Sequence, residues 1–311
     1  MSKPEISVVI PLYNEEKSIE ALYQKLREQL QKRDESYEII FIDDGSTDGS
    51  FEQIAKIHQS DSHVSAYKFK RNFGKSAGLG LGFEKAKGDL VVTMDADLQD
   101  DPVELPRMIE KIKQGYDLVS GWKFARLDPL SKRMPSKLYN LVLRYFSKVE
   151  IHDFNCGYKI YRKEVVKNIK IYGELHRYIP VLAGLKGYRV AEIKVRHHPR
   201  KYGRSKFGTR RFFGGFFDLL TVLFLYNYGL RPMHVFGPMG LLSLGLGLAI
   251  NLYLTILWFV GNRPIGNRPL LALGFFLLVV GFQLFLIGFI AEMLTRSFFT
   301  TDEYPIEKKL E

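Results

Sequence analysis

Two runs without a charged residue, Val235 to Gly261 and Leu270 to Ala291, constrain this chain more than any other feature. Each is longer than the roughly 20 residues that a helix needs to cross bilayer hydrocarbon. They read as two transmembrane helices; a buried helical hairpin in a soluble core is the competing reading, and uncharged runs of this length favour the spans. The connection Asn262 to Pro269 carries Arg263 and Arg268, whereas Lys201 to Arg231 is richer in cations, including Arg204, Lys206, Arg210 and Arg211. The positive-inside bias therefore places the large N-terminal portion and the tail from Glu292 on the cytoplasmic side of the inner (plasma) membrane. Met1 to Pro11 has no long apolar core and leads straight into a strand pattern, unlike a signal peptide.

A formal charge of +11 can point to nucleic acid. Here the basic residues crowd beside the apolar runs, where lipid headgroups and phosphates are the nearer partners, so a membrane surface is expected and nucleic acid is not. Cys156 is the only cysteine, which excludes an intrachain disulfide and agrees with a reducing compartment.

Ahead of the spans, Ile6 to Ile10, Glu38 to Ile42, Val64 to Phe69 and Leu90 to Met94 are short apolar runs rich in β-branched residues. Helical patterns separate them: Ser18 to about Gln31, Gly49 to His58, Ser76 to Lys87 and Pro102 to Lys113. That alternation predicts parallel βαβ units, an α/β class. Ligands of open α/β sheets sit beyond the carboxyl ends of the strands. The polar segments Pro11 to Glu15 and Asp43 to Ser46 follow the first two strands and are expected to share one crevice with Asp95-Ala96-Asp97, which closes the fourth.

Side chains two apart on a strand share a face, so Asp95 and Asp97 can hold one hard cation between them. Oxygen ligands suit Mg²⁺ or Mn²⁺, and Mg²⁺ completes its shell with substrate phosphate and water, which points to a nucleotide diphosphate. The alternative is that the two aspartates cap the next helix.

Four segments taken together, Pro11 to Glu16 (PLYNEE), Asp43 to Gly49 (DDGSTDG), Arg71 to Lys75 (RNFGK) and Asp95 to Pro102 (DADLQDDP), resemble glycosyltransferase family 2. The nearer likeness is to its polyprenyl-phosphate glycosyltransferases, the dolichol-phosphate mannose synthase and bactoprenol glucosyltransferase group. Asp153 to Val165 and Tyr202 to Gly208 extend it, and the paired C-terminal spans are similar to those of the bacterial members. The resemblance implies a GT-A (Rossmann-like) domain with a mostly parallel sheet, followed by interfacial helices and two transmembrane helices. It also implies a nucleoside-diphosphate sugar donor and a polyprenyl (undecaprenyl or dolichyl) phosphate acceptor. The expected division is 1–208 for the cytosolic GT-A domain, 209–234 for interfacial helices, 235–291 for the transmembrane hairpin and 292–311 for a cytosolic tail.

Within that frame Asp44, with Asp43 beside it, would accept an N–H of the nucleobase, Thr47 or Asp48 being better placed to cap the following helix. Pro11, Tyr13 and Glu15 would line base and ribose, although Asn14 and Glu15 could equally begin the first helix. Arg71 and Lys75 flank Gly74 and would offer cations to the donor, or else stand as solvated surface. Asp95, Asp97 and Gln99 would hold the Mg²⁺ or Mn²⁺ that bridges the donor diphosphate. Lys123, Arg126, Lys132, Arg133 and Lys137 lie where relatives place their lipid-phosphate cations; the alternative is a basic face touching headgroups. Asp153 matches the acid that opens the mannose-synthase-type segment, while some bacterial relatives carry theirs nearer Gly157. Arg204, Ser205 and Lys206 would close over the diphosphate. Cys156 reads as packing and His176, His197 and His198 as structural or phosphate-adjacent.

From Arg210 to Tyr226, Phe213, Phe216, Phe217, Leu220, Leu223 and Phe224 recur at helical spacing, which predicts either an in-plane interfacial helix or a core helix on the sheet. An acceptor phosphate is already anionic at neutral pH, so no strong protein base is required. Direct attack on the anomeric carbon then gives inversion and transfer of one sugar. UDP-glucose or a related UDP-sugar is the favoured donor, with GDP-mannose second. The alternatives are a processive polysaccharide synthase, disfavoured because no Q-x-x-R-W motif is present, and a non-catalytic membrane-anchored module that binds nucleotide sugar or lipid phosphate. Oligomeric state is open, although related membrane enzymes point to a homo-oligomer.

Overall fold

The computed structural model describes residues 3–124, 149–199, 231–261 and 266–298, with single positions at 140, 143, 144, 147, 221, 224, 228 and 264. Strands β1 (Ile6–Leu12), β2 (Tyr37–Asp43), β3 (Val64–Lys68) and β4 (Leu90–Thr93) alternate with helices α1 (Glu16–Gln31), α2 (Ser50–Ser60) and α3 (Lys75–Lys85). After β4 come a short 3-10 turn, Pro102–Glu104, and α4 (Leu105–Lys113). The remaining elements of this unit are β5 (Leu118–Lys123), β6 (Lys159–Arg162), α5 (Lys163–Asn168), a 3-10 turn at Leu175–Tyr178, α6 (Ile179–Leu185) and β7 (Val190–Val195).

These strands form one sheet in the order β3-β2-β1-β4-β6-β5-β7. Every pairing is parallel except those of β6, which runs antiparallel between β4 and β5. Parallel strands covered by helices on both faces are apolar in both directions, and β1 is buried at all seven positions. Its alternating residues feed two cores. Val8 and Ile10 join Leu22 and Leu26 of α1, Ile54 of α2 and Met108 of α4 on one face. Val9 joins Leu79 and Phe83 of α3, Val165 of α5 and Ile179 of α6 on the other. The α/β class and the four leading strands are thus as the apolar runs predict, and the antiparallel β6 is an addition that alternation alone does not announce.

The second unit holds α7 (Met233–Phe259) and α8 (Pro269–Phe298), both long and apolar enough to cross a membrane. Glycines bring their backbones together: a Cβ on Gly240 would stand 2.9 Å from the Gly281 carbonyl, and one on Gly247 2.8 Å from that of Gly274. Close approach through small residues is how helices associate where no water drives them together. Outward-facing Leu242, Leu248 and Phe275 are more than half exposed, which suits contact with lipid rather than water. Glu292 of α8 accepts the Met233 N–H at 3.2 Å and so caps α7. The helix predicted between Arg210 and Tyr226 lies outside the described residues, apart from single positions.

Candidate active site

Chain segments leaving β1 and β2 are stitched into one rim. Asn14, with φ +53°, donates its N–H to Ser46 Oγ at 2.9 Å and accepts the Thr47 N–H at 2.8 Å. Glu15 donates to Ser50 Oγ at 2.9 Å. These bonds spend the short polar side chains on holding the two loops together, and α1 and α2 begin directly behind them. Pro11 is buried within β1, and Tyr13 and Glu15 are half-buried just beyond its end. Asp48 accepts the Ser50 N–H at 3.1 Å at the start of α2.

Asp43 and Asp44 end β2 facing different neighbours. Asp43 accepts the Ser46 N–H at 2.7 Å, and its other oxygen stands 3.8 Å from Lys68 Nζ. Asp44 accepts two backbone N–H groups, from Phe73 at 2.7 Å and Gly74 at 2.9 Å. Burial pushes the Asp44 carboxyl up from its ordinary pKa, and those two N–H groups pull against it. Gly45, at φ +74°, lies so close to this turn that a Cβ would fall 2.5 Å from the Arg71 carbonyl carbon. A side chain there would push apart the loops that Asp44 joins. Arg71 lays its guanidinium over the exposed Phe73 ring, 4.5 Å from the centroid.

Lys75 opens α3, and its ammonium pairs with Asp95. One turn, Arg71 to Lys75, therefore bridges the acid at the end of β2 and the first acid of the Asp-Ala-Asp segment. β4 ends at Thr93, so Asp95 and Asp97 stand on a turn beyond it rather than on one strand face, with Leu98 at φ +61°. Strand periodicity is therefore not what aims the two carboxylates. Burial would raise the Asp95 pKa, but Lys75 and Lys123 hold it down to about 2, so it is fully ionised at neutral pH. Gly157 lies against it: a Cβ there would come within 2.5–2.7 Å of the carboxyl atoms of Asp95. Asp97 accepts the Gln99 N–H at 3.1 Å, and the Gln99 amide nitrogen turns to the His198 carbonyl at 3.4 Å.

Lys123, expected among the acceptor cations, is nearly buried and forms an ion pair with the fully buried Asp100 at 2.9 Å. Burial alone would lower its pKa; Asp100, Cys156 and Asp95 together keep it above the usual lysine value. The segment Gln99 to Asp101 also meets the end of β7, where Asp100 pairs with His197 in an isolated bridge and His198 Nε2 stands 2.9 Å from Asp101. Asp153 is buried and its carboxylate accepts the Asn155 N–H at 3.1 Å. Cys156 packs beneath Gly121, and burial pushes its thiol up to about 12. Arg126, Lys132, Arg133, Lys137, Arg204, Ser205 and Lys206 lie outside the described residues.

Three residues at this site carry no binding or catalytic assignment from the sequence, His176 reading there as structural or phosphate-adjacent. Lys159, first in β6, is buried with its ammonium on the Cys156 carbonyl, and burial lowers its pKa. β6 reads Lys-Ile-Tyr-Arg, with a charge at each end, so local patterning does not signal that this lysine is the buried one. His176 is buried beside Ser76 Oγ at 2.9 Å; burial and then Lys75, Arg177 and Lys159 depress its pKa to about 2, so it is neutral. Asp100 completes the set through Lys123.

Residues 7–170 match the family described as glycosyl transferase family 2. The dodecaprenyl-phosphate galacturonate synthase of Rhizobium johnstonii is 37% identical over 306 residues, 97% of this chain and 90% of the relative. The undecaprenyl-phosphate 4-deoxy-4-formamido-L-arabinose transferase of Pseudomonas aeruginosa is 35% identical over 94% of this chain and 86% of its own length. Among solved structures, glucosyl-3-phosphoglycerate synthase from Mycobacterium tuberculosis, crystallised with Mn²⁺, UDP-glucose and glycerol 3-phosphate, superposes with a TM-score of 0.51 at 18% identity. That match covers 72% of this chain and 80% of the other, a likeness of fold.

Proposed function

The chain belongs to glycosyl transferase family 2, and from that premise we propose that it moves a single sugar from a nucleoside diphosphate to a polyprenyl phosphate at the cytoplasmic face of a membrane. The observation that carries this reading is the turn Arg71 to Lys75, which links Asp44 to Asp95 through consecutive contacts. An acid suited to a nucleobase N–H and an acid suited to a cation thereby stand at the two ends of one short segment, as a nucleoside diphosphate requires. The relatives aligned over nearly the whole chain, and named for polyprenyl-phosphate products, support the lipid acceptor.

Asp95, Asp97 and Gln99 offer oxygen donors only, and Asp95 is ionised, a set that fits Mg²⁺ or Mn²⁺. Such an ion, when bound, supplies positive charge to the leaving diphosphate. The chain's own residues do the rest: Asp44 orients the base, Asp43 and Ser46 hold the loop that frames it, and Asp153 with Lys159 borders the acceptor side. The acceptor phosphate brings its own negative charge, so positioning and charge complementarity replace a strong protein base. Attack by that phosphate on the anomeric carbon inverts the configuration there.

A UDP-linked sugar is the favoured donor, UDP-glucose being the simplest. The sugars in the relatives' names put modified sugars beside it, and GDP-mannose stands second. The apolar helices α7 and α8 would anchor the enzyme in the inner membrane with residues 1–208 and the tail in the cytoplasm. Purified full-length protein with undecaprenyl phosphate and a panel of labelled UDP- and GDP-sugars tests this. One donor should label the lipid with a single sugar, and EDTA should abolish the label. Donor binding without lipid labelling under any metal would instead establish a binding module, and a growing polymer a processive synthase.

A further inference from the structure

Resting on that donor and metal reading, we propose that Lys75 is an exchange cation. It neutralises Asp95 while no metal is bound, and moves to the donor diphosphate when the metal takes its place.

The two side chains of this pair are each 31% exposed, whereas the Lys123–Asp100 pair is 12% and 0% exposed. The first reaches solvent on one side; the second does not. Gly157 closes one side of the Asp95 carboxylate, and Lys75 covers an oxygen that a metal would need. The backbone of the turn is fixed by the two N–H groups on Asp44, so exchange requires only the Lys75 side chain to move. Its flexible four-carbon stem and compact ammonium are suited to that.

Charge balance gives the exchange its direction. Lys75 and Asp95 together are neutral, and a divalent ion with a donor diphosphate bearing one negative charge on each phosphate is neutral too. Swapping partners leaves Asp95 on the metal and Lys75 on the diphosphate, with the net charge of the half-buried site, Asp97 included, unchanged. A metal arriving alone meets Lys75, with Lys123 also close enough to act on Asp95. Repulsion between like charges at this range is substantial in a partly buried site. Metal and nucleotide should therefore bind together, each strengthening the other, as linkage requires.

Protein-bound Mn²⁺, followed by electron paramagnetic resonance on full-length protein in detergent, tests this with Mn²⁺ alone and with Mn²⁺ plus UDP. Wild type should bind Mn²⁺ weakly alone and about tenfold or more tightly with UDP. Lys75→Gln should bind Mn²⁺ alone about tenfold more tightly than wild type and gain less from UDP. Lys75→Arg should behave as wild type, and Asp95→Asn added to Lys75→Gln should remove the gain. Wild type that binds Mn²⁺ equally well with and without UDP, or Lys75→Gln that binds it no better than wild type, overturns the exchange while leaving the metal site standing. No bound Mn²⁺ in wild type with UDP overturns the metal reading and the exchange together.

Discussion

Asp44 accepts the backbone N–H groups of both Phe73 and Gly74, so the acid just after β2 fixes the two residues that lead into α3 and with them the root of Lys75. Asp44→Asn places an amide NH₂ against one of these donors. Leaving a buried donor without an acceptor costs about 1–3 kcal/mol, and for these part-buried donors the lower end, about 1 kcal/mol, is expected. Thermal unfolding should show a midpoint several degrees lower, and nucleotide titration a weaker Kd. An unchanged midpoint would mean that other contacts hold the turn.

Lys123 and Asp100 form a buried pair behind the Asp-Ala-Asp segment. Removing one member leaves an uncompensated buried charge, at a cost of about 3–5 kcal/mol. Lys123→Met should therefore destabilise strongly in denaturant unfolding, and adding Asp100→Leu should recover much of the loss. A Lys123→Met protein of normal stability with a raised KM for the lipid acceptor would instead make Lys123 a phosphate ligand.

Gly157→Ala sets a methyl against the Asp95 carboxylate, at 2.5 Å from its nearest oxygen before relaxation. Asp95 is 31% exposed and can turn toward solvent, so stability should change by only about 1 kcal/mol. Transfer activity should nevertheless fall about 100-fold, in line with misplacement of a catalytic group by an ångström. Full activity would show that Asp95 is needed in another position.

His176 is neutral in the fold, with a pKa near 2 against an ordinary 6.5. The unfolded chain takes up a proton below pH 6.5 and the folded one does not. The stability this neutral group confers is therefore complete above pH 6.5 and falls as pH drops from there toward 2, by about 1.4 kcal/mol per unit. Between pH 7.5 and 5.5 wild type should lose about 1.4 kcal/mol that His176→Gln does not lose. Equal losses in unfolding experiments at the two pH values would place the His176 proton elsewhere.

Apolar runs made the leading half of the sheet legible, because a buried parallel strand must be apolar on both faces and β1, β2 and β4 are. The two long apolar helices were legible for the same kind of reason, since an uncharged run of this length stands out along the chain. What periodicity did not carry is the direction of side chains beyond a strand end. Asp95 and Asp97 were expected on one strand face, yet the chain has already left β4 and Leu98 adopts positive φ. Partners distant in sequence were equally silent: nothing local to Lys123 announces Asp100, and nothing local to Gly157 announces Asp95. Lys159 shows the general case, a charge that local patterning would push to the surface and the tertiary fold places inside.

β6 runs against both of its neighbours. Ser120 of β5 and Thr93 of β4 both sit beside Lys159, so the stretch 124–158 departs from and returns to the same end of the sheet, one strand apart. That return sets Gly157 against the Asp95 carboxylate and the Lys159 ammonium on the Cys156 carbonyl, so a strand laid backwards is what walls the acidic turn.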